Sequence, residues 1–156
     1  MPEKPSLVLY QPEIPPNTGN VARLTAGAGV DLHLVEPLGF SLEDKHLKRA
    51  GLDYWPSVRL SVWPDWESLR RYVRGEGGRF VFTTSRNGTT YCEFDYRPSD
   101  FIVLGPETRG LPKELYANEP TVRIPVTDAV RSLNMSTAAG ILLYEALRSS
   151  GTMPYP

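Results

Sequence analysis

The stretch SLVLYQPEIPPNTGNVARLTAGAGVDLHLV, residues 6–35, contains one complete unit of the fold. Residues 6–10 form a short apolar, β-rich run, which stops where Pro12, Pro15 and Pro16 remove the backbone donors that a strand ladder needs. Residues 17–29 then carry Val21, Leu24 and Ala28 at helical spacing, with Asn17 as a candidate cap and Gly29 as the stop. A second strand, residues 31–35, follows at once. Strand, loop, helix and strand in this order make a βαβ unit with parallel strands.

The same alternation continues outward. Ser41 with Asp44 three residues later reads as a capping box opening a helix over 42–50 that ends at Gly51. Residues 58–62 form a weaker strand. Pro64 and Asp65 open a helix over 66–74, which the glycines of 75–78 close before a strand at 79–84. Further strands fall at 101–104 and 121–124, and the longest helical stretch runs over 134–149. The pattern predicts an α/β fold: a mainly parallel sheet with helices on both faces. No repeat, linker or low-complexity segment interrupts the chain, and 156 residues is the size of one domain.

Composition narrows the classes. Hydrophobic residues make up 40% and charged residues 22%, a globular balance far from that of disordered chains. There is no apolar run of about 18 residues to span a bilayer, and the opening residues lack the apolar core of a signal peptide, so a cytoplasmic protein without a membrane partner is expected. Cys92 stands alone with His33 and His46, which leaves no internal disulfide and no metal-ligand spacing. A formal net charge of -1 argues against coating nucleic acid by bulk charge, so any RNA contact must be local. The basic residues are 13 arginines and 4 lysines. That bias fits bidentate phosphate binding and equally fits arginine codon usage in a GC-rich genome.

Three strand ends lead into loops rich in glycine, proline, amides and hydroxyls: residues 12–23 (PEIPPNTGNVAR), 104–112 (LGPETRGLP) and 124–137 (IPVTDAVRSLNMST). Ligands of open parallel sheets gather beyond the carboxyl ends of the strands. In the first loop Asn17, Gly19 and Asn20 offer amides and backbone donors at a helix start, where anions are favoured, and Arg23 adds a full charge one turn in. In the second, Gly105 allows close backbone approach, Pro106 and Pro112 stiffen both sides, and Glu107 and Arg109 form an exposed pair of opposite charges. In the third, Arg131, Ser132 and Asn134 reach the mouth of the last helix, with Ser132 or Asn134 as its cap. Each loop alone reads as an ordinary turn or cap; together, from distant parts of the chain, they make a shared site. No GxGxxG follows a strand, because Leu32 stands where the third glycine belongs, and GxxxxGK[ST], GxSxG and HExxH are absent.

These residues carry a resemblance. Asn17-Thr18-Gly19-Asn20 with Arg23, the run 105–112, and Arg131-Ser132-Leu133-Asn134 resemble the three motifs of SPOUT methyltransferases in order and spacing. Residues 10–23, 36–40 (EPLGF) and 49–54 (RAGLDY) are similar to the TrmL subfamily, the tRNA (cytidine/uridine-34) 2′-O-methyltransferases, and the likeness covers essentially the whole chain. One departure is Thr137, where relatives often place Asn. The resemblance implies a trefoil-knotted fold and a homodimer built on the first and last helices. It implies S-adenosylmethionine as cofactor, S-adenosylhomocysteine as product and the tRNA anticodon stem-loop as partner. The cofactor-binding positions it implies are Phe82, Gly105, Ile124, Ser132 and Leu133. Arg23, Ser132 and Asn134 are implied as catalytic, and Asn17, Arg23, Glu107, Arg109, Arg131 and Tyr144 as RNA-binding. The competing expectations are a methyltransferase acting on rRNA or another tRNA position, a non-catalytic RNA-binding knot protein, and a small-molecule enzyme on a flavodoxin-like sheet.

Overall fold

A computed structural model of the chain describes residues 2–43 and 55–155. The elements run β1 (Ser6–Tyr10), α1 (Pro15–Ala28), β2 (Asp31–Val35), β3 (Arg59–Trp63), α2 (Trp66–Gly75), β4 (Arg79–Thr83), β5 (Thr89–Thr90), β6 (Asp100–Leu104), α3 (Lys113–Tyr116), β7 (Thr121–Arg123) and α4 (Met135–Ser150). Among the described residues the sheet has seven strands in the order β3-β2-β1-β6-β4-β7-β5, and every pairing is parallel. The predicted α/β class holds, and the mainly parallel sheet is parallel throughout.

Side chains alternate across each strand, so the sheet builds two cores. Leu7, Leu9, Leu32, Leu34, Ile102 and Leu104 face α1 and α4, against Val21, Ala22, Leu142 and Leu143. Val8, Phe82, Phe101 and Val103 face the other side, against Leu69 and Val73 of α2 and Leu115 and Tyr116 of α3. Strands buried on both faces read as continuous apolar runs, as 7–10 and 101–104 do.

Several element ends differ from the expectations. Helix α1 begins at Pro15, not Asn17, and its cap position is Ile14, which provides no side-chain bond. Proline is well suited to a first helical turn because its missing N–H would be unpaired there anyway. Gly29 stops α1 in the left-handed conformation at φ 69°, which glycine adopts without cost. Asp65 caps α2 through Ser68 N. Asn134, rather than Ser132, caps α4. Ser41 Oγ accepts from Glu43 N, while the helix expected over 42–50 lies largely outside the described residues. The two-residue β5 and one-turn α3 have no local sequence signature.

Under β2 lies an ionisable group that folding keeps neutral. His33 is 2% exposed, its Nδ1 accepts from the Trp63 indole at 3.0 Å, and its ring packs against Trp63, Tyr72 and Phe101. Its Nε2 is buried with no hydrogen-bond partner among the described residues. Burial pushes its pKa down to about 4, with Asp31 pulling weakly the other way. An unfolded histidine takes up its proton near pH 6.5, so the unfolded state binds more protons between the two values, and stability falls as pH drops through that window. The full span amounts to about 3 kcal/mol. Denaturant titrations between about pH 7 and 4 should show this loss. His33→Gln, which keeps an acceptor for Trp63, should flatten it; an unchanged slope would assign the acid sensitivity to other groups.

Candidate functional site

A cleft of about 620 Å³ opens beyond the carboxyl ends of β4, β6 and β7. All three loops singled out in the sequence reach it. Asn17 comes from the first, Gly105, Glu107 and Arg109 from the second, and Ile124 with Arg131, Ser132, Leu133 and Asn134 from the third. The volume falls within the range of small-molecule sites, roughly 300 to 1,000 Å³.

The second loop turns back on itself at Gly105. A Cβ there would stand 2.6 Å from Leu111 N and 2.7 Å from the Gly110 carbonyl carbon, closer than side chains come to backbone. Gly110 closes the turn at φ 70°, with its N–H donating to Pro106 O at 3.0 Å. Backbone, not side chain, therefore walls this part of the cleft.

Side chains lock the loops together. The Glu107 carboxylate accepts from Glu13 N and Ile14 N, both at 2.9 Å, and from Asn17 Nδ2 at 3.3 Å. It thereby caps α1 from a distant segment, which explains why no local cap is present. Pro15 and Pro16 carry no N–H, Asn17 N bonds back to Ile14 O at 3.1 Å, and Glu107 takes the remaining donors. A carboxylate is also favoured at this positive end of the helix. Asn17 Oδ1 in turn accepts from Asn134 Nδ2 at 3.1 Å. Asn134 Oδ1 accepts from Ser136 N at 2.9 Å and Ser136 Oγ at 2.6 Å.

The second and first loops also bind in the reverse sense. Glu13 Oε1 accepts from Thr108 N at 3.0 Å and Thr108 Oγ1 at 2.8 Å. The Thr108 amide, then its hydroxyl, and then the charge of Arg109 hold the Glu13 carboxyl below its ordinary range. Arg109 Nη2 donates to Gln11 Oε1 at 2.7 Å. The exposed Glu107–Arg109 pair expected from the sequence is thus replaced by two separate contacts to the first loop, because helix amides and the Gln11 carbonyl offer fixed partners.

Three expected site residues lie outside the lining of this cleft. Phe82 is 1% exposed, packs on Trp66 and Phe80, and donates its N–H to Pro120 O at 2.9 Å; the residues that follow it, Thr83 and Thr84, reach the cleft instead. Arg23 is exposed on α1, and Tyr144 is 40% exposed on α4. Conversely, Arg86, Lys113 and Arg123 join Arg109 and Arg131 in the lining, against Glu107 as the single acid among the described residues. In the sequence these three cations are indistinguishable from solvated surface charges; only the tertiary fold collects them.

A parallel α/β sheet with a glycine-built, polar cleft beyond its strand ends is the arrangement in which open α/β proteins hold small ligands. The chain belongs to the SpoU rRNA Methylase family, whose model matches residues 4–144. It is 49% identical over 145 residues to a tRNA (cytidine(34)-2'-O)-methyltransferase of Methylovorus glucosotrophus, covering 91% of this chain and 93% of that one. It is 44% identical over 150 residues to the protein of the same name from a Polaromonas species, covering 94% and 91%. Among solved structures, one described as giving insights into the 2-OH methylation of C/U34 on tRNA superposes with a TM-score of 0.90 at 46% identity, over 96% of this chain and 97% of that one. An AdoMet-bound rRNA methyltransferase from Sinorhizobium meliloti superposes at 0.86 with 26% identity, over 95% of this chain and 57% of that one.

Asn17 is 7% exposed, and its amide is engaged at both ends, so removing it breaks two partly buried hydrogen bonds. Asn17→Ala should lower the unfolding free energy by about 1 to 3 kcal/mol. Asn17→Asp should cost more than the alanine, because it sets a second carboxylate against Glu107. Chemical denaturation compares the two; an aspartate variant as stable as wild type would show that the Asn17–Glu107 contact carries no weight.

Proposed function

We infer that this chain transfers a methyl group from S-adenosylmethionine to the ribose 2′-hydroxyl of the wobble pyrimidine, position 34, of tRNA. The observation that carries this reading is the cleft wall. A chain of net charge -1 gathers, among the described residues, four arginines and a lysine against one acid around an opening, and that acid is occupied by the Glu13 and Ile14 amides. Such a surface suits a polyanion held locally. The relatives' named activity at position 34 of tRNA supplies the substrate.

The backbone turn at Gly105 suits an adenosine, which needs close main-chain approach rather than a side-chain cage. Gly105, Ile124, Ser132 and Leu133 would hold the cofactor. The sulfonium methyl is the chemistry it supplies, with S-adenosylhomocysteine left as product. The protein's own contribution is orientation, worth on the order of 7 to 11 kcal/mol where alignment is good. Asn134, engaged at both ends of its amide, shapes the wall instead of exchanging protons. Arg23 clamps the ribose hydroxyl and its phosphate, since a guanidinium with pKa above about 12 is a poor base. The hydroxyl proton then passes to an RNA phosphate or to water.

Under this reading the chain is a cytoplasmic homodimer with a trefoil knot at its C-terminal segment, gripping the anticodon stem-loop. Support for pairing comes from α1 and α4, which pack on the same face of the sheet. Tyr144 is 40% exposed on α4, and Gly27 and Gly140 have open space beside them among the described residues. A partner across this face would give Arg23 and Tyr144, which lie outside their own cleft, a site to serve.

The protein should transfer label from methyl-labelled S-adenosylmethionine to a 2′-O-methylated pyrimidine at position 34 of tRNA lacking that mark. Label only in rRNA or at another tRNA position would reject the wobble assignment. Arg23→Lys should keep cofactor affinity and lose about 100-fold in turnover; full turnover would reject the clamp. Ile141→Glu, placing a charge on the helix face, should give a monomer by light scattering and abolish transfer, and an active monomer would reject the dimer.

A further inference from the structure

Glu13 belongs to none of the expected site positions and does not line the cleft, yet the structure fixes it from three sides. Its N–H donates to Glu107 Oε1 at 2.9 Å. The preceding carbonyl, Pro12 O, accepts from Gly39 N at 2.9 Å. Gly39 lies so close that a Cβ there would stand 2.8 Å from Glu13 Cα. The backbone of Glu13 is thus clamped between the loop after β2 and the loop after β6. From this fixed base one carboxylate oxygen, Oε1, receives both the amide and the hydroxyl of Thr108. Thr108 sits between Glu107 and Arg109, within the turn whose backbone walls the cleft.

We propose that Glu13 is a positioning residue that holds the 105–112 turn in the shape that receives the cofactor; this rests on the functional reading above. The physical case is one of preorganisation. The turn is exposed at Thr108, Arg109 and Gly110, and Gly105 and Gly110 give its backbone wide conformational freedom when nothing restrains it. A charged acceptor taking two donors from one residue removes that freedom before ligand arrives, so less ordering cost falls on binding. The lowered pKa of Glu13 agrees with a carboxylate that stays ionised while it does so. Glu13 is not among the residues that line the cleft and acts through Thr108.

The test compares Glu13→Ala and Glu13→Gln with wild type by hydrogen exchange of the 105–112 peptide in the ligand-free protein, and by calorimetric titration with S-adenosylmethionine. Glutamine keeps a carbonyl oxygen able to accept both Thr108 bonds, so it should stay within about threefold of wild type in both readouts. Alanine should lose about tenfold in exchange protection and in affinity, with turnover at saturating cofactor within about twofold. Thr108→Ala is at an exposed position and should show a smaller loss of the same kind; combined with Glu13→Ala it should add little further. Wild-type exchange and affinity in Glu13→Ala, equal losses in alanine and glutamine, or fully additive losses with Thr108→Ala would each overturn the proposal. Wild-type methyl transfer to tRNA is measured in parallel. Its failure would reject the functional reading, while the exchange comparison, which needs no ligand, still decides the role of Glu13.

Discussion

Asn17 donates through its amide nitrogen to Glu107 and accepts through its oxygen from Asn134, and by those two bonds three loops that are far apart in the chain become one wall. The partners are 90 and 117 residues away. Without this bridge the capping of α1 by Glu107 and of α4 by Asn134 would be two unrelated local events. With it, both helix starts are held against the same turn, and the cleft has a defined floor. The constraint is electrostatic as much as geometric: one carboxylate serves helix amides and a side-chain amide at once, in a place where the helix end already favours negative charge.

That arrangement explains how a slightly acidic chain can present a basic opening. Glu107 is the one acid among the described residues of the lining, and its oxygens are turned towards the amides that lead into α1. Arg109 is held by Gln11 at the rim. The cations contributed by the exits of β4 and β7 and by α3 then dominate the opening. Local concentration of charge, rather than net charge, sets what such a surface attracts.

Much of the fold was readable because the strands are short, apolar and bounded by proline or glycine. β1 and β2 agree residue for residue with the expectation, and β3, at the sheet edge, is displaced by one residue because only part of its surface is buried. The start of α1 was misplaced for a physical reason: its cap is a side chain 93 residues away from Ile14, and no local pattern signals a remote carboxylate. Pro15 and Pro16 looked like loop because proline blocks strand and helix interior alike, whereas it fits a first helical turn. The three loops of the site were legible as loops, and the resemblance told which residues to watch. What remained hidden was the traffic between them: Glu13 reads as an ordinary loop acid until the fold places it behind the turn.

The reciprocal clasp of Glu13 on Thr108 and Glu107 on Glu13 and Ile14 also has a meaning in time. As a chain grows from its N-terminus, β1, α1 and β2 can pair early, since their contacts are close in sequence. The amides of Glu13 and Ile14 that lead into α1, however, have to wait for their acceptor until Glu107 has been made, 94 residues after Glu13. At ordinary rates of synthesis that is roughly 5 to 20 seconds later. The helix that carries Arg23 can therefore start early, but its entry is secured only when β6 and the turn that forms the cleft have been made.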